Sequence, residues 1–169
     1  RLFLDCGKGS SGFGLRLATY FPTLFAGLIL RDPIDVSNGI RLGSLSGIPI
    51  LMIASDDTRG ACAAIKAAIA KSGSDLVKIV DAVGEYPYTD LQGSIDEWVS
   101  QQSRRLDRQE IVIEPNSDRF QTAFWARIVT AEPLASSSDE RKPRLEVKVD
   151  RAANRIEVKA QGVTDFRLQ

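Results

Sequence analysis

The chain has 169 residues, of which 43% are hydrophobic and 26% are charged, as in ordinary soluble globular proteins. Its 22 basic residues balance 22 acidic ones, which argues against a general electrostatic attraction to nucleic acid or to an anionic membrane. The sequence contains no histidine, so Ser-His-Asp, Cys-His and His-metal chemistry are excluded within this chain. We therefore expect no nucleic-acid partner, no metal and no cofactor.

The first part of the chain alternates apolar runs with helical segments. Strands are expected at residues 2–4, 25–30, 48–54 and 76–83, with helices ending near residue 21, at 59–73 and at 89–105. Asp90 or Thr89 is the predicted N-cap of the last helix. Continuous runs of Val, Ile and Leu between helices favour a parallel sheet covered on both faces. We therefore predict an α/β domain over residues 1–105.

The remaining residues, 106–169, have a different pattern. The stretches "QEIVIEP" and "TAFWARIVTAEPL" are typical of strands, and Leu145, Val147 and Val149 alternate with charged residues. Ile156 and Val158 alternate again after a polar turn, which predicts an antiparallel pair with one wet face. This part is predicted to be a small antiparallel β domain.

A glycine-rich loop, "CGKGSSG", follows the first predicted strand and precedes a helix. This is the position at which α/β proteins place a nucleophile or bind a phosphate. "GKGSSG" is not a Walker A loop, because the first glycine is missing and Lys8 is followed by glycine. Two cysteines, Cys6 and Cys62, are predicted to be small apolar fillers.

The order of this loop, a helix, "YFPTLFAGLILRDP", "IPILMIASDD" and "SIDEWV" resembles the C-terminal half of an α/β-hydrolase of the esterase and prolyl-oligopeptidase-like branch. The resemblance covers residues 1–103. The predicted β domain of residues 106–169, which we call the β tail, resembles extra C-terminal domains attached to some bacterial members. It implies a parallel-sheet α/β-hydrolase-like fold and, in active members, a carboxylester or peptide hydrolase. The elbow motif G-x-S-x-G would then fall on Cys6, Lys8 and Ser10, so that all three signature positions depart from the family pattern.

The resemblance also places the other catalytic positions. The acid would lie at Asp56 or Asp57, and the histidine position would lie at Glu85 or Tyr86. A glutamate there is a poor base for a serine, because its unperturbed pKa is about 4.3. At least two of the three triad members are therefore missing.

Lys8 and its neighbours permit several interpretations. Lys8 is either a tolerated replacement, solvated or paired with Asp56, Asp57 or Glu85, or it binds an anion together with Gly9, Ser10 and Ser11. A catalytic reading makes Ser10 or Ser11 the nucleophile and Lys8 its base. The two aspartates are alternatively an acidic pair at a helix N-terminus.

Other charged and aromatic residues are expected to have structural roles. Trp98 and Trp125 are predicted to lie in the core or at a domain interface. A short basic patch beside the predicted linker between the two parts consists of Arg104, Arg105 and Arg108. We expect the side chains of this patch to face solvent.

The leading functional hypothesis is a catalytically inactive hydrolase-fold protein that acts as a scaffold or binding module. One alternative is an active serine hydrolase completed by residues or a chain not present here, and another is an interaction module that docks through the β tail. An open edge on the first strand indicates further strands before Arg1 or a protein partner. No apolar run reaches the roughly 18 residues of a membrane span, and the localisation is left open between a bacterial cytoplasm and a cell envelope.

Overall fold

A computed structural model describes residues 1–34, 39–135, 138 and 141–169. Its first half contains a parallel sheet of four strands in the order β1-β2-β3-β4. The strands are β1 (Phe3–Cys6), β2 (Gly27–Arg31), β3 (Ile50–Ala54) and β4 (Val77–Asp81). Each neighbouring pair is parallel and in continuous register. The predicted α/β class and parallel sheet are confirmed.

Three α-helices cover the two faces of this sheet: α1 (Ser11–Tyr20), α2 (Arg59–Ala70) and α3 (Gln92–Gln101). Side chains of α1 and α2 share one buried cluster with alternate residues of the strands, among them Leu15, Ile65 and Met52. The other residues of the same strands face the opposite side of the sheet and form a second buried cluster with α3, in which Ile53 packs with Trp98. Burial on both faces explains why the strands read as continuous apolar runs.

The predicted start of α3 is wrong. Thr89 and Asp90 lie in a 3₁₀ turn, Thr89–Leu91, and the α-helix begins only at Gln92. Leu91 occupies the N-cap position, and no side chain caps the helix there. The 3₁₀ turn satisfies the first backbone groups by tighter bonds, so a side-chain cap is not needed.

The second half forms two antiparallel three-stranded sheets. Their strands are β5 (Glu110–Ile113), β6 (Thr122–Ala123), β7 (Ala126–Ala131), β8 (Arg144–Asp150), β9 (Arg155–Gln161) and β10 (Val163–Leu168). The sheet orders are β5-β8-β9 and β10-β7-β6. Inner residues of both sheets, such as Ile113, Ile128 and Leu145, form a third buried cluster. The predicted antiparallel character of this part is confirmed.

The predicted alternation holds for Leu145 and Val147 on β8 and weakens at Val149, which is half-buried. On β8, Leu145 and Val147 are buried. On β9, Ile156 faces Val149 in the register but is 53% exposed. In the described part of the chain β9 pairs only with β8, so one end of its apolar row is left open to solvent.

Hydrogen bonds join the two halves at the turn before β3. The Glu114 carboxylate accepts a bond of 2.8 Å from the Gly43 amide, and the Ser44 hydroxyl accepts one of 2.8 Å from the Glu114 amide. Asn116 bonds both the amide and the carbonyl of Arg41. The predicted division near residue 105 falls between α3 and β5, and independent folding of the two parts stays a prediction.

Three further expectations concern the sheet edge, membrane spans and the cysteines. Among the described residues β1 pairs only with β2, so the expectation of further strands beside it stays a prediction. The helices in the described ranges are too short or too polar to cross a membrane. Cys6 and Cys62 are buried and free, as predicted.

Candidate functional site

The carboxyl ends of the parallel strands bring the predicted site residues to one edge of the sheet. Lys8 follows β1, Asp56 follows β3, and Tyr86 follows β4. This edge is where open α/β sheets bind their ligands. We call it the carboxyl edge.

The loop after β1 makes the predicted strand-turn-helix corner. Gly7 is extended, a 3₁₀ turn spans Lys8–Ser10, and α1 begins at Ser11. The Ser10 hydroxyl donates to the Gly7 carbonyl at 3.1 Å. The buried Ser11 hydroxyl donates to the Lys8 carbonyl at 3.3 Å and accepts the Ile34 amide at 3.3 Å. Both hydroxyls therefore hold the corner together.

Lys8 lies on the outside of this corner. Its side chain is exposed, and Gly9 beside it is exposed with open space around it. No salt bridge in the described ranges joins Lys8 to Asp56, Asp57 or Glu85. Of the two alternatives for a tolerated Lys8, the structure favours a solvated ammonium over the pairing.

The two aspartates after β3 lie directly before α2. Asp56 is fully exposed and lies 3.3 Å from the Arg59 guanidinium, which also bonds Asp81. Asp57 is exposed as well. The structure thus favours the acidic pair before a helix over a catalytic acid, because neither carboxylate is directed to the Lys8 corner by a hydrogen bond in the described residues.

The loop after β4 returns to the corner. Glu85 is exposed, and its carbonyl oxygen accepts a bond of 2.7 Å from the Tyr88 amide. Tyr86 reaches Gly7, where a β-carbon would overlap the tyrosine hydroxyl. A side chain at this position would require the Tyr86 ring to shift. Of the two residues predicted for this place, Tyr86 is the one that touches the corner.

A buried carboxylate, Asp32, was missed by the sequence analysis. It follows β2, has a left-handed backbone with φ of 49°, and is 4% exposed. Its Oδ1 accepts bonds from the Ser55 amide at 2.9 Å and from the Thr58 hydroxyl at 2.8 Å, and its Oδ2 accepts the Tyr88 hydroxyl. The available signal is an aspartate directly after a buried strand, similar to Asp56, which is the second residue after the next strand.

These bonds determine how the Asp32 cluster titrates. Burial alone would raise the pKa of Asp32, but the bonds from Tyr88, Ser55 and Thr58 outweigh it and lower the pKa to about 2. The same bond to Asp32, together with burial, raises the pKa of Tyr88 to about 12. Neither group exchanges a proton near neutral pH, so the cluster fixes the loops rather than moving protons.

Arg31 connects three neighbouring segments of the carboxyl edge. Its Nε and one terminal nitrogen bond the two carboxylate oxygens of Asp5 at 3.0 and 2.8 Å. The other terminal nitrogen donates to the Pro87 carbonyl at 2.6 Å. Strands β1 and β2 are thereby tied to the loop that carries Tyr86 and Tyr88.

The described residues contain no group of three or more His, Cys, Asp or Glu side chains placed to hold a metal ion. Comparison of the chain with family models, with curated proteins and with solved structures finds no match. The resemblance to α/β-hydrolases therefore stays a prediction.

Proposed function

We propose that the chain is a catalytically inactive α/β-hydrolase-like protein whose sheet and carboxyl edge serve as a scaffold or binding module. The order of the four parallel strands supports this proposal, as do the placement of α1 and α2 on one face and α3 on the other. The return of the loop after β4 to the strand-turn-helix corner is the arrangement that the resemblance implies.

The observation that carries the proposal is which side chains occupy the expected catalytic positions of the strand-turn-helix corner. Lys8 stands where the resemblance implies a serine, and Tyr86 touches Gly7 where it implies a histidine. A phenol hydroxyl is a much poorer general base than an imidazole. The strand-turn-helix corner is present, but the serine nucleophile and the histidine base that would perform acyl transfer are not at these two positions.

Ser10 is a poor substitute for the missing nucleophile. Its hydroxyl donates to the Gly7 carbonyl, so its proton is directed to the backbone and not to a base. A serine–lysine mechanism needs a lysine held out of water, and Lys8 is exposed. Neither requirement for an activated serine is met.

Hydrolysis of a short activated ester tests this proposal. Purified protein is expected to cleave p-nitrophenyl acetate no faster than the buffer blank, measured by release of p-nitrophenolate. The Ser10→Ala variant should give the same rate, and Lys8→Ser should not create activity because the chain has no histidine.

Turnover above the blank that Ser10→Ala abolishes would overturn the proposal. Turnover that depends on a second chain would also contradict it and would favour an active hydrolase completed by residues outside this sequence. Thermal melting of both variants checks that the corner still folds.

A second candidate, an interaction module that docks through the β tail, is favoured by the open apolar row on β9. Ile156 is 53% exposed, and with Trp125 and Leu168 it lines a shallow cavity of about 330 Å³. Removing the tail is a poor test, because the hydrogen bonds of Glu114 and Asn116 to residues 41–44 would be lost.

A point variant tests docking with the whole chain. If β9 docks onto a second copy, the mass measured by light scattering should rise with protein concentration, and Ile156→Lys should abolish the rise. Val83→Lys is the matched control, since Val83 is also 53% exposed but lies on the α/β part. A constant monomer mass, or equal effects of the two variants, would reject this second candidate.

A further inference from the structure

A wide groove lies at the opposite end of the parallel sheet from Lys8. It has a volume of about 760 Å³ and lies between the segment before β4, the linker before β5, and the outer side chains of β8 and β9. Ligand sites are commonly clefts of about 300–1,000 Å³. The groove shares none of its lining residues with the corner around Lys8.

The basic side chains in the groove outnumber the acidic ones that remain unpaired. The acids Glu110, Glu146 and Glu157 each form a salt bridge. Asp75 and Asp107 form none within the described ranges. The lining cations without a salt bridge to any described residue are Lys71, Arg105, Arg108, Arg151 and Lys159. Five lining cations and two lining carboxylates, Asp75 and Asp107, are thus without a salt bridge, so the groove has an excess of positive charge.

Arg108 is the anchor of this set. Its guanidinium stacks over the Phe124 ring, 5.6 Å from the centroid, and its carbonyl accepts the Trp125 indole at 2.8 Å. Its Nε is the one side-chain nitrogen or oxygen in the described part that is buried without a hydrogen-bond partner. Burial, and then the nearby Arg105, lower the pKa of Arg108, yet a guanidinium stays charged.

Arg108 is half-buried, and its Nε is buried without an acceptor, which is costly. Its terminal nitrogens form no hydrogen bond with a described residue, and an anion in the groove would give them acceptors. Arginine presents a rigid fork of N–H donors that matches phosphate oxygens, and stacking leaves its edge free to bind. The unpaired cations come from the residue directly after α2, from the linker between α3 and β5, and from the β8–β9 region, so they lie on several sides of the groove. Such an arrangement suits a small ligand with more than one negative charge.

We propose that this groove binds a small organic anion that carries two or more phosphate groups, with Arg108 and Arg105 as principal contacts. The basic patch in the linker is thereby divided: Arg105 and Arg108 line the groove, and Arg104 does not. The site is independent of the proposed loss of catalysis at the carboxyl edge.

Inorganic pyrophosphate is the probe that tests the proposal. Calorimetric titration of the whole chain at low ionic strength is expected to show one saturable site, with orthophosphate bound at least tenfold more weakly. Arg108→Gln and Arg105→Gln should each weaken pyrophosphate binding by tenfold or more. Arg104→Gln is the matched control, since Arg104 is exposed, precedes Arg105 directly and does not line the groove, and it should change the affinity by less than twofold.

Each other result counts against the site. No heat of binding at millimolar pyrophosphate, or equal affinity for orthophosphate, would overturn the proposal. An equal loss in Arg104→Gln would reveal only a diffuse field, and tighter binding of duplex DNA would point to nucleic acid instead. If Arg108→Gln fails to fold, as judged by circular dichroism, Arg105→Gln and Lys71→Gln decide the question, because both side chains are exposed.

Discussion

Replacing Asp32 with alanine is expected to lower the free energy of unfolding by about 4 kcal/mol. The change removes the carboxylate that accepts from three donors, which are the Ser55 amide, the Thr58 hydroxyl and the Tyr88 hydroxyl. The Ser55 amide and the Thr58 hydroxyl would keep only the longer bonds within their own turn, of 3.1 and 3.4 Å. A hydrogen bond to a charged group contributes about 1.5–3 kcal/mol, and an unsatisfied buried donor adds its desolvation cost. Urea denaturation followed by circular dichroism measures the loss.

Asp32→Asn separates the charge of this carboxylate from its shape. The amide oxygen still accepts from Ser55 and Thr58, and the amide nitrogen donates to the Tyr88 oxygen, so we expect a smaller loss of about 1–2 kcal/mol. Asp57→Ala is the matched control, because Asp57 follows the next strand and is exposed. A loss in Asp32→Ala no larger than in Asp57→Ala would contradict the structure.

The same cluster predicts how stability depends on pH. The folded-state pKa of Asp32 is lowered from 3.8 to about 2, so its stabilisation is fully present above about pH 4 and is lost as the pH falls through about 2. The shift corresponds to about 2 kcal/mol. Tyr88, whose pKa is raised from 10.0 to about 12, gives stability that is present below pH 10 and lost as the pH rises through about 12. Asp32→Asn should remove the acidic component.

Replacing Trp98 with alanine should also lower the free energy of unfolding by about 4 kcal/mol, since truncation of a buried tryptophan costs about 3–5 kcal/mol. Trp98 is 7% exposed and packs edge-on against Phe3, with ring centroids 6.2 Å apart. A β-carbon at Gly27 would lie 2.9 Å from its ring, so the indole rests directly on the backbone of β2. It holds α3 onto the sheet, and thermal and urea denaturation measure the effect.

Two variants of α3 make this result specific. Trp98→Phe keeps a ring against Phe3 and should lose less than half as much stability as alanine does. Glu97→Ala, on the exposed side of the same helix, should leave the midpoint of denaturation almost unchanged. If Trp98→Ala behaves like Glu97→Ala, α3 does not cover the sheet in the way described.

The sequence was sufficient to predict the sheet because its signal is strong and local. A strand buried on both faces needs apolar residues at every position, and "ILMIA" in β3 shows this directly. The predicted start of α3 is wrong because Thr89 and Asp90 are good N-cap residues for an α-helix but are equally compatible with a 3₁₀ turn. Exposure of Ile156 depends on whether another strand lies beside β9, which no local pattern contains.

The candidate site was predictable only in part. The strand-turn-helix corner at Lys8 follows from small residues between a strand and a helix, and those residues are adjacent in the chain. The contact between Asp32 and Tyr88 joins residues 56 positions apart and depends on how two loops meet. The groove around Arg108 is also formed by segments that lie far apart in sequence, mainly residues 71–76, 105–112 and 144–159. Such groupings require the fold first.

The bonds between Ser44 and Glu114 impose an order on the making of this protein. Ser44 and Glu114 are separated by 70 residues, so the turn before β3 leaves the ribosome well before Glu114, the residue to which it is hydrogen-bonded. At the usual elongation rate of about 5–20 residues per second, the interval is about 4–14 seconds. All four described strands of the parallel sheet are thus synthesised before Glu114, and the hydrogen-bonding groups of that turn find their partners only when the β5 region follows.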